Sequence, residues 1–344
     1  MKAFVLTGIR AMEMREVPTP AIVNADDVLI RMKSIGVCGS DVHYYETGRI
    51  GSQVVQYPFT VGHECAGVVE AVGSGVSRMA PGSRVAVDPA IYCGSCDQCR
   101  VGRRHTCRKL RFLGCPGQVA GCLSEYIVMP EKCLFPIGEA MTLDQAALAE
   151  PLSIGVYAVK QSIPMKSADI GILGAGPIGL SVLLPARAQG ARTVHVTDKI
   201  DARLNLSRRM GADTTANPDK QDAVKEILAH TPAGLDAVFE CCGEQDALDQ
   251  AIDLLKPGGV LMLIGIPRVD RVSFSIDSMR RKEIRVQNVR RQEGCVQAAL
   301  DMIDSRAANV DPLLTHRFPF ESTKEAFDLV ARYADGVLKA VIEM

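Results

Sequence analysis

The feature that most constrains the fold is a glycine-rich turn between an apolar strand and an apolar helix. The turn, Gly174-Ala175-Gly176-Pro177-Ile178-Gly179, directly follows the apolar run Ile170–Leu173 and leads into the apolar segment Ile178–Gln189. In a dinucleotide-binding unit the first glycine makes the tight turn, the second admits the pyrophosphate, and the third lets the helix pack against the strand. Pro177 suits a first helical turn. The context therefore predicts a dinucleotide site with its phosphates at the helix N-terminus.

An acidic residue at the end of the next strand favours NAD over NADP. Asp198 follows Gly179 by nineteen residues, where a carboxylate can accept hydrogen bonds from both ribose hydroxyls. A 2′-phosphate at that position would meet a like charge. Lys199 and Arg203 lie nearby and would weaken the discrimination against NADP.

The segment around this motif alternates between strands and helices, which predicts a doubly wound parallel sheet. The apolar runs are continuous, as in strands that are buried on both faces. The predicted strands are Ile170–Leu173, Thr193–Thr197, Ala237–Glu240 and Val260–Ile264, and the predicted helices lie around Ile178–Gln189, Ala202–Met210, Asp222–Ala229 and Ala247–Leu255.

The first ~150 residues have a different character, with short β-type runs divided by turn residues such as Pro81-Gly82-Ser83. They predict an irregular antiparallel β domain. A final β-run near Lys339–Ile342 is expected to return to that domain. The predicted boundaries are 1–152 for the first domain, 153–290 for the Rossmann domain and 291–344 for the returning tail.

Four of the twelve cysteines fall within fifteen residues, at Cys93, Cys96, Cys99 and Cys107. In a long chain without a signal peptide, clustered cysteines bind metal more often than they form disulfides. The two-residue gaps let successive thiolates face one ion, and the fourth completes a tetrahedron. Because four sulfurs leave no open position, the lobe at 93–107 is expected to hold a structural zinc. His105 lies within it and is expected at the surface.

A second constellation is spread along the chain. Cys38 and Glu150 are weak signals alone, but Gly36-Val37-Cys38-Gly39-Ser40-Asp41-Val42-His43 and Gly62-His63-Glu64 resemble the ligand segments of zinc-containing medium-chain alcohol dehydrogenases. The cysteine lobe and glycine loop follow in the family's order, so the resemblance covers essentially the whole chain. Within the family, Glu46-Thr47-Gly48-Arg49-Ile50-Gly51 and Glu150-Pro151-Leu152-Ser153-Ile154-Gly155 are most similar to the sorbitol (polyol) dehydrogenase branch.

The resemblance implies an α/β protein with a GroES-like catalytic domain, a Rossmann domain and a cleft between them. It implies a catalytic zinc held by Cys38, His63 and Glu64, in addition to the structural zinc. Glu150 stands where many relatives have a ligating cysteine, and it is either a ligand itself or a hydrogen-bond partner of what zinc binds. With three protein ligands one position stays open, and zinc lowers the pKa of the alcohol bound there.

The remaining site residues are also implied by the resemblance. Ser40 and His43 match proton-relay positions, and Tyr44, Glu150 and Arg290 match substrate-contacting positions. The cofactor contacts expected beyond the glycine loop and Asp198 are Ile178, Arg203, Ile264, Gly265, Ile266 and Val289.

The sequence constrains the choice of substrate less strongly. Polyol dehydrogenases commonly have aromatic residues around the arginine that Arg290 matches, and this chain has Val289 and Arg291 there instead. A second positive charge favours a carboxylate or phosphate on the substrate. A polyol oxidised to a ketose is the main prediction. The alternatives are a sugar acid, a sugar phosphate, L-threonine, or a non-catalytic relative, the last of which would be expected to lack the zinc ligands.

Composition excludes several other classes. The formal net charge is −1, which argues against an electrostatic nucleic-acid surface. No apolar run reaches the ~20 residues that a membrane-spanning helix needs, so the chain is expected in the cytoplasm, without membrane partners. An exposed edge strand, suggested at Arg271–Ile276, would invite pairing between copies, and the polyol branch implies a homotetramer.

Overall fold

The computed structural model describes residues 1–344 and contains nineteen strands and eleven α-helices. In chain order, β1 to β19 span Lys2–Gly8, Ala11–Glu16, Asp27–Gly36, Arg49–Ile50, Gln53–Val54, Glu64–Val72, Arg84–Val87, Ala90–Ile91, Arg111–Phe112, Tyr126–Pro130, Leu134–Pro136, Asp169–Leu173, Thr193–Thr197, Thr214–Ala216, Leu235–Glu240, Leu255–Leu263, Arg285–Asn288, Leu314–Pro319 and Lys339–Glu343. Helices α1 to α11 span Gly39–Thr47, Asp97–Arg100, Leu143–Ala147, Ala149–Gln161, Pro177–Ala188, Asp201–Arg209, Ala223–His230, Gln245–Leu254, Ile276–Lys282, Val296–Asp304 and Thr323–Ala331.

The chain divides into two compact units. The first contains residues 1–150, 299–304 and 313–344, and the second contains residues 151–298 and 305–312. No helix is both long enough and apolar enough to cross a lipid bilayer.

The first unit is organised around a sheet in which strands follow the order β11-β7-β6-β3-β19-β18, and β10 also pairs with β3. Alternate residues of β3 face the core, and Val28, Ile30 and Met32 are at most 1% exposed. The neighbours of β3 are antiparallel to it, whereas β18 and β19 are parallel to each other. The C-terminal strands are therefore part of the same sheet as the N-terminal ones.

The pairing register at the end of β3 brings distant segments together. Gly36, the last residue of β3, lies opposite Glu64 of β6 on one side and Val341 of β19 on the other. Cys38 follows two residues later and occupies the N-cap position of α1. Three strands and one helix start thus converge at one end of the sheet.

The second unit contains a six-stranded parallel sheet in the order β14-β13-β12-β15-β16-β17. Numbered from β12, this is the order 3-2-1-4-5-6 of a Rossmann fold. All five residues of β12 are buried, as a strand covered on both faces requires. The predicted doubly wound sheet is confirmed, and so is the α/β fold class.

One element was wrong in the sequence-based prediction. Arg271–Ile276 does not form an edge strand, because residues 271–275 are irregular and α9 begins at Ile276. The backbone of Ser273 is bound by the Gln245 side chain, which accepts from its N–H at 2.9 Å and donates to its carbonyl at 2.9 Å. The edge strands of the sheet are instead β14 and β17, and all four residues of β17 are exposed.

Candidate active site

The four clustered cysteines lie in a lobe between β8 and β9, around α2. Adjacent sulfurs are 3.4–3.9 Å apart for the pairs Cys93–Cys99, Cys96–Cys99, Cys96–Cys107 and Cys93–Cys107. A tetrahedron with metal–sulfur bonds of about 2.3 Å has edges of about 3.8 Å. The cluster therefore has the dimensions of a closed, four-sulfur zinc site.

Backbone groups prepare this lobe for thiolates. The N–H groups of Ser95 and Cys96 lower the pKa of Cys93 to about 5.

Two further contacts concern the surroundings of the four cysteines. On the surface of the lobe, Arg108 donates two hydrogen bonds to Asp97, at 2.6 and 2.8 Å. The expectation for His105 was wrong, because it lies in a short turn and is only 5% exposed.

Cys38, His63 and Glu64 form the second cluster, with potential ligand atoms that all lie within 4.8 Å of one another. His63 and Glu64 are 7% and 1% exposed. The register that sets Gly36 opposite Glu64 explains why residues 38 and 64 meet. Gly36 must also lack a side chain, because a Cβ there would overlap Oε2 of Glu64. A thiolate, an imidazole and a carboxylate are a donor set that zinc accepts, and they leave one position open.

Asp41 holds the imidazole of this cluster and was missed by the sequence analysis. Its Oδ1 lies 3.3 Å from Nδ1 of His63 and accepts from the N–H of Gly62 at 3.2 Å. Burial disfavours the charged form of His63, but Asp41 and then Cys38 outweigh burial and raise its pKa well above the usual value. With Nδ1 facing Asp41, Nε2 is left for a metal ion, as in carboxylate–histidine–zinc arrangements.

Lys339 is the other partner that the sequence did not reveal. Its ammonium group lies 2.7 and 2.6 Å from the two carboxylate oxygens of Glu64, and both side chains are 1% exposed. Burial lowers the pKa of Lys339, but Glu64 and then Cys38 raise it, and the net direction is upward. The carboxylate of Glu64 is thus paired with the ammonium group of Lys339, a cation that belongs to the protein.

Glu150 lies in the first turn of α4 and is 8% exposed, outside the three-residue cluster. Burial raises its pKa to about 7, helped by Glu64 and Asp88, while His63 and Lys339 act in the opposite direction. The pKa of Glu150 therefore depends on the charges of His63 and Glu64 in the cluster. A carboxyl group with this pKa can change its protonation state near neutral pH.

The other predicted residues of the first unit lie on α1. The hydroxyl of Ser40 donates to Sγ of Cys38 at 3.4 Å, and His43 is half-buried one turn further along the helix. Tyr44 is buried, and its hydroxyl donates to Oε1 of Gln53 at 3.0 Å. Gln53 in turn donates to Sγ of Cys115 at 2.8 Å, so Tyr44, Gln53 and Cys115 form a polar cluster of three side chains.

The glycine loop of the second unit has the geometry of a dinucleotide turn. Gly174 has φ +101°, which favours glycine, and Gly176 is the N-cap of α5 with Pro177 in its first turn. A Cβ at Gly179 would overlap the carbonyl of Gly174. Gly174 and Gly179 are therefore required where they stand. The loop is followed directly by Ile178, which is half-buried on α5.

Asp198 is fixed on this loop by two backbone groups, because it accepts from the N–H of Ala175 at 2.7 Å and of Ile200 at 2.8 Å. Nη1 of Arg203 would lie 3.7 Å from a Cβ on Gly176, so its guanidinium also borders the loop. A cation and an anion thus flank the loop.

The residues predicted after β16 and β17 stand at the carboxyl edge of the parallel sheet. Ile264, Gly265 and Ile266 follow β16, and the N–H of Val289 donates to the carbonyl of Leu263 at 2.8 Å. A ligand-binding crevice in such sheets lies at this edge.

The two arginines that follow differ in exposure: Arg290 is exposed, whereas Arg291 is half-buried and has φ +56°. This conformation is unfavourable for a residue with a side chain. The local fold therefore holds the backbone of Arg291 in a conformation that it would otherwise avoid.

Comparison with known proteins identifies the family. The model of the alcohol dehydrogenase GroES-like domain matches residues 24–139, and the model of the zinc-binding dehydrogenase matches residues 177–305. Over 343 residues the chain is 35% identical to sorbitol dehydrogenase of Bacillus subtilis strain 168, covering 99% of this chain and 97% of the relative. The chain belongs to the zinc-binding dehydrogenase family. The resemblance drawn from the sequence, including the polyol branch, is confirmed.

Two solved structures extend the comparison of this dehydrogenase. Galactitol-1-phosphate dehydrogenase from Escherichia coli superposes with a TM-score of 0.92 at 28% identity, covering 100% of both chains. A protein from Sinorhizobium meliloti 1021, solved with NADP bound, superposes with a TM-score of 0.91 at 30% identity, covering 100% of this chain and 99% of the other. The dehydrogenase is an oxidoreductase of a family that uses zinc and a nicotinamide cofactor.

Proposed function

We propose that this dehydrogenase oxidises a secondary hydroxyl group of a polyol to a ketone and transfers the hydride to NAD. The convergence of Cys38, His63 and Glu64 carries the proposal, because all three donors lie within 4.8 Å in a chain that is similar to a sorbitol dehydrogenase along its whole length. These three residues would hold the zinc, which would supply Lewis acidity towards the substrate hydroxyl, with NAD as the hydride acceptor.

Two zinc ions per chain fit the two clusters. Cys93, Cys96, Cys99 and Cys107 would hold one ion with four sulfurs and no free position. Cys38, His63 and Glu64 would hold the other and leave a position for substrate. Glu150, with its pKa of about 7, would accept a hydrogen bond from a second substrate hydroxyl when ionised.

The proton of the substrate hydroxyl needs a route away from the metal. Ser40 is placed to take part, since its hydroxyl lies 3.4 Å from Sγ of Cys38. We propose that the Ser40 hydroxyl passes the proton towards His43, three residues further along the same helix. Tyr44 follows on α1, and its hydroxyl would contact the polyol chain.

NAD is proposed as the cofactor in preference to NADP. The carboxylate of Asp198 is fixed against the loop by the N–H of Ala175, where it would accept hydrogen bonds from ribose hydroxyls and repel a 2′-phosphate. The proposed contacts of the remainder of the cofactor are those predicted from the sequence, at Gly174, Gly176, Pro177, Ile178, Gly179, Arg203, Ile264, Gly265, Ile266 and Val289.

A second candidate function is oxidation of an anionic sugar derivative. The observation that favours it is the pair Arg290 and Arg291, together with likeness to a galactitol-1-phosphate dehydrogenase. A planar guanidinium binds phosphate or carboxylate through two parallel hydrogen bonds. Loss of activity in Arg291→Ala on an anionic substrate, but not on a neutral polyol, would support this candidate. Arg209→Ala, at an exposed arginine at the end of α6, is the matched control.

Assembly and location complete the proposal. The exposed strand β17 leaves unpaired backbone groups at the sheet edge, and two copies would pair there as part of a homotetramer. Light scattering of the purified protein tests the tetramer. A cytoplasmic location agrees with two sites that need reduced cysteines, and cell fractionation tests it.

The decisive experiment is a substrate and cofactor screen on zinc-counted protein. Initial rates are measured with sorbitol, xylitol, galactitol, L-threonine, sugar acids and sugar phosphates, each with NAD and NADP. We expect the highest kcat/KM with a neutral polyol and NAD, and two zinc ions per chain. Activity confined to L-threonine or to primary alcohols would overturn the proposal, and so would full activity in Cys38→Ala.

A further inference from the structure

Lys339 is among the largest side chains that are fully buried, with 1% of its surface exposed. A buried lysine is rare unless it is paired, because the charge loses its hydration. Its strand, β19, also anchors the start of the metal-binding segment, since Ala340 accepts from the N–H of Val37 at 2.9 Å. The lysine therefore stands directly behind the residue that precedes Cys38.

The contacts of the ammonium group use all of its donors. Nζ lies 2.7 and 2.6 Å from Oε1 and Oε2 of Glu64, and 3.2 Å from the carbonyl of Val37. An ammonium has three N–H donors and no acceptor, so these three contacts satisfy it. Both carboxylate oxygens of Glu64 accept hydrogen bonds from Lys339. The other two potential metal ligands, Cys38 and His63, take no part in these three hydrogen bonds.

A metal ion at the cluster must therefore share Glu64 with Lys339. The two cations approach the same carboxylate, and each limits how closely the other is coordinated. Without Lys339, the carboxylate would be free to turn both oxygens towards the ion. Two carboxylate oxygens, one sulfur and one nitrogen would then fill the four positions that zinc favours.

We propose that Lys339 is a positioning residue of the catalytic metal centre, which restrains Glu64 from coordinating the ion with both oxygens and so keeps one position available for substrate. This inference rests on the proposed function, because it assumes a metal at Cys38, His63 and Glu64. It assigns no contact between Lys339 and substrate.

The direction in which metal affinity changes when Lys339 is removed distinguishes this role from that of a residue that only orients a ligand. Removing a partner that orients a ligand weakens metal binding by about 10–100-fold. Lys339 instead competes with the ion for Glu64. We therefore expect Lys339→Met to bind Co²⁺ about tenfold more tightly than the wild type, whereas loss of an orienting partner would weaken binding. Lys339→Arg retains the charge and should stay close to the wild type.

The test uses the full-length protein with its cysteine lobe loaded with zinc and the second site titrated with Co²⁺. The visible absorption of bound Co²⁺ depends on the number and geometry of its ligands, so it reports whether Glu64 contributes one oxygen or two. We expect Lys339→Met to alter the visible spectrum, to bind Co²⁺ more tightly and to lower kcat more than it raises KM. Lys324→Met, which removes an exposed lysine paired with Asp328, is the control.

A spectrum and an affinity that match the wild type would overturn the inference, as would weaker Co²⁺ binding in Lys339→Met. Because that variant leaves Glu64 buried without its cation, the change is repeated in a Glu64→Gln background, which removes the buried negative charge. There, Lys339→Met should change neither Co²⁺ affinity nor spectrum, and an unchanged effect would also overturn the inference. Failure of the proposed function itself is recognised separately, as absence of Co²⁺ binding in the wild type.

Discussion

Replacing Asp41 by asparagine isolates the contribution of one buried charge to the metal centre. Asp41 is 1% exposed, and its Oδ1 lies 3.3 Å from Nδ1 of His63 and 3.2 Å from the N–H of Gly62. Asparagine has nearly the same shape and an oxygen that can accept from the same groups. The substitution therefore removes charge and leaves the packing nearly unchanged.

The expected magnitude follows from these contacts. A hydrogen bond to a charged group contributes about 1.5–3 kcal/mol, and a neutral one about 0.5–1.5 kcal/mol. The difference of about 1–1.5 kcal/mol corresponds to roughly a tenfold loss of zinc affinity. This lies at the weak end of the 10–100-fold range for partners of metal-bound histidines, because the asparagine oxygen still accepts from the ring.

Competition with a chromophoric chelator measures the affinity, on protein whose cysteine lobe is already loaded. Asp27→Asn is the control, since Asp27 is also buried but binds the backbone of Val23 and Asn24. We expect the control to match the wild type within twofold. If Asp41→Asn also binds zinc within twofold of the wild type, then Asp41 does not orient His63, and the role assigned to it is wrong.

Three further predictions concern the lobe, the cofactor and the pH dependence of stability. Cys96→Ser should reduce the zinc content from two ions to one and lower the thermal midpoint by at least about 4 °C, since structural zinc contributes well over 1 kcal/mol; metal analysis and calorimetry test this. Asp198→Ala should lower the NAD-to-NADP ratio of kcat/KM by at least about tenfold, because a like-charge contact costs more than about 1.4 kcal/mol; an unchanged ratio would show that Asp198 does not select the cofactor. Burial, and then His230, lower the pKa of His195, whose ring nitrogens lie 2.6 and 2.9 Å from the hydroxyls of Thr214 and Thr231. The folded state therefore favours neutral His195, so unfolding free energy should fall as pH drops below about 6.5, the unfolded value; urea titrations of the wild type should show this fall, and His195→Gln should reduce it.

The second unit was predictable because its signals are local. The motif at Gly174–Gly179 and the apolar strands each lie within a few residues of what they specify, and parallel strands joined by helices allow few topologies. The error at Arg271–Ile276 has a non-local cause. Its alternating pattern is that of a strand, but the side chain of Gln245 takes the backbone groups of Ser273, and this contact joins positions 28 residues apart.

The first unit and its metal centre were predictable only in part. The candidate ligands Cys38, His63 and Glu64 were predicted through resemblance, because nothing in the sequence alone says that β3 and β6 pair with Gly36 opposite Glu64. Asp41 could have been suspected as a buried acid within the same ligand segment. Lys339 carried no signal, since it lies 275 residues from Glu64 and reads as an ordinary strand lysine.

The charges of the two clusters suggest why they are built differently. Four thiolates around one Zn²⁺ would leave a charge of −2 and no open position, which fits a structural site. This site lies beside a run of basic residues, from Arg100 to Arg111. At the other cluster, one thiolate and one carboxylate would neutralise a bound Zn²⁺, and Lys339 adds one positive charge. That charge can offset the negative charge that develops when a substrate hydroxyl loses its proton. Stability alone does not explain this buried pair, because replacing a buried ion pair by apolar residues is often neutral or stabilising. The position of Lys339 at the carboxylate of Glu64 is therefore better explained by a role in the cluster.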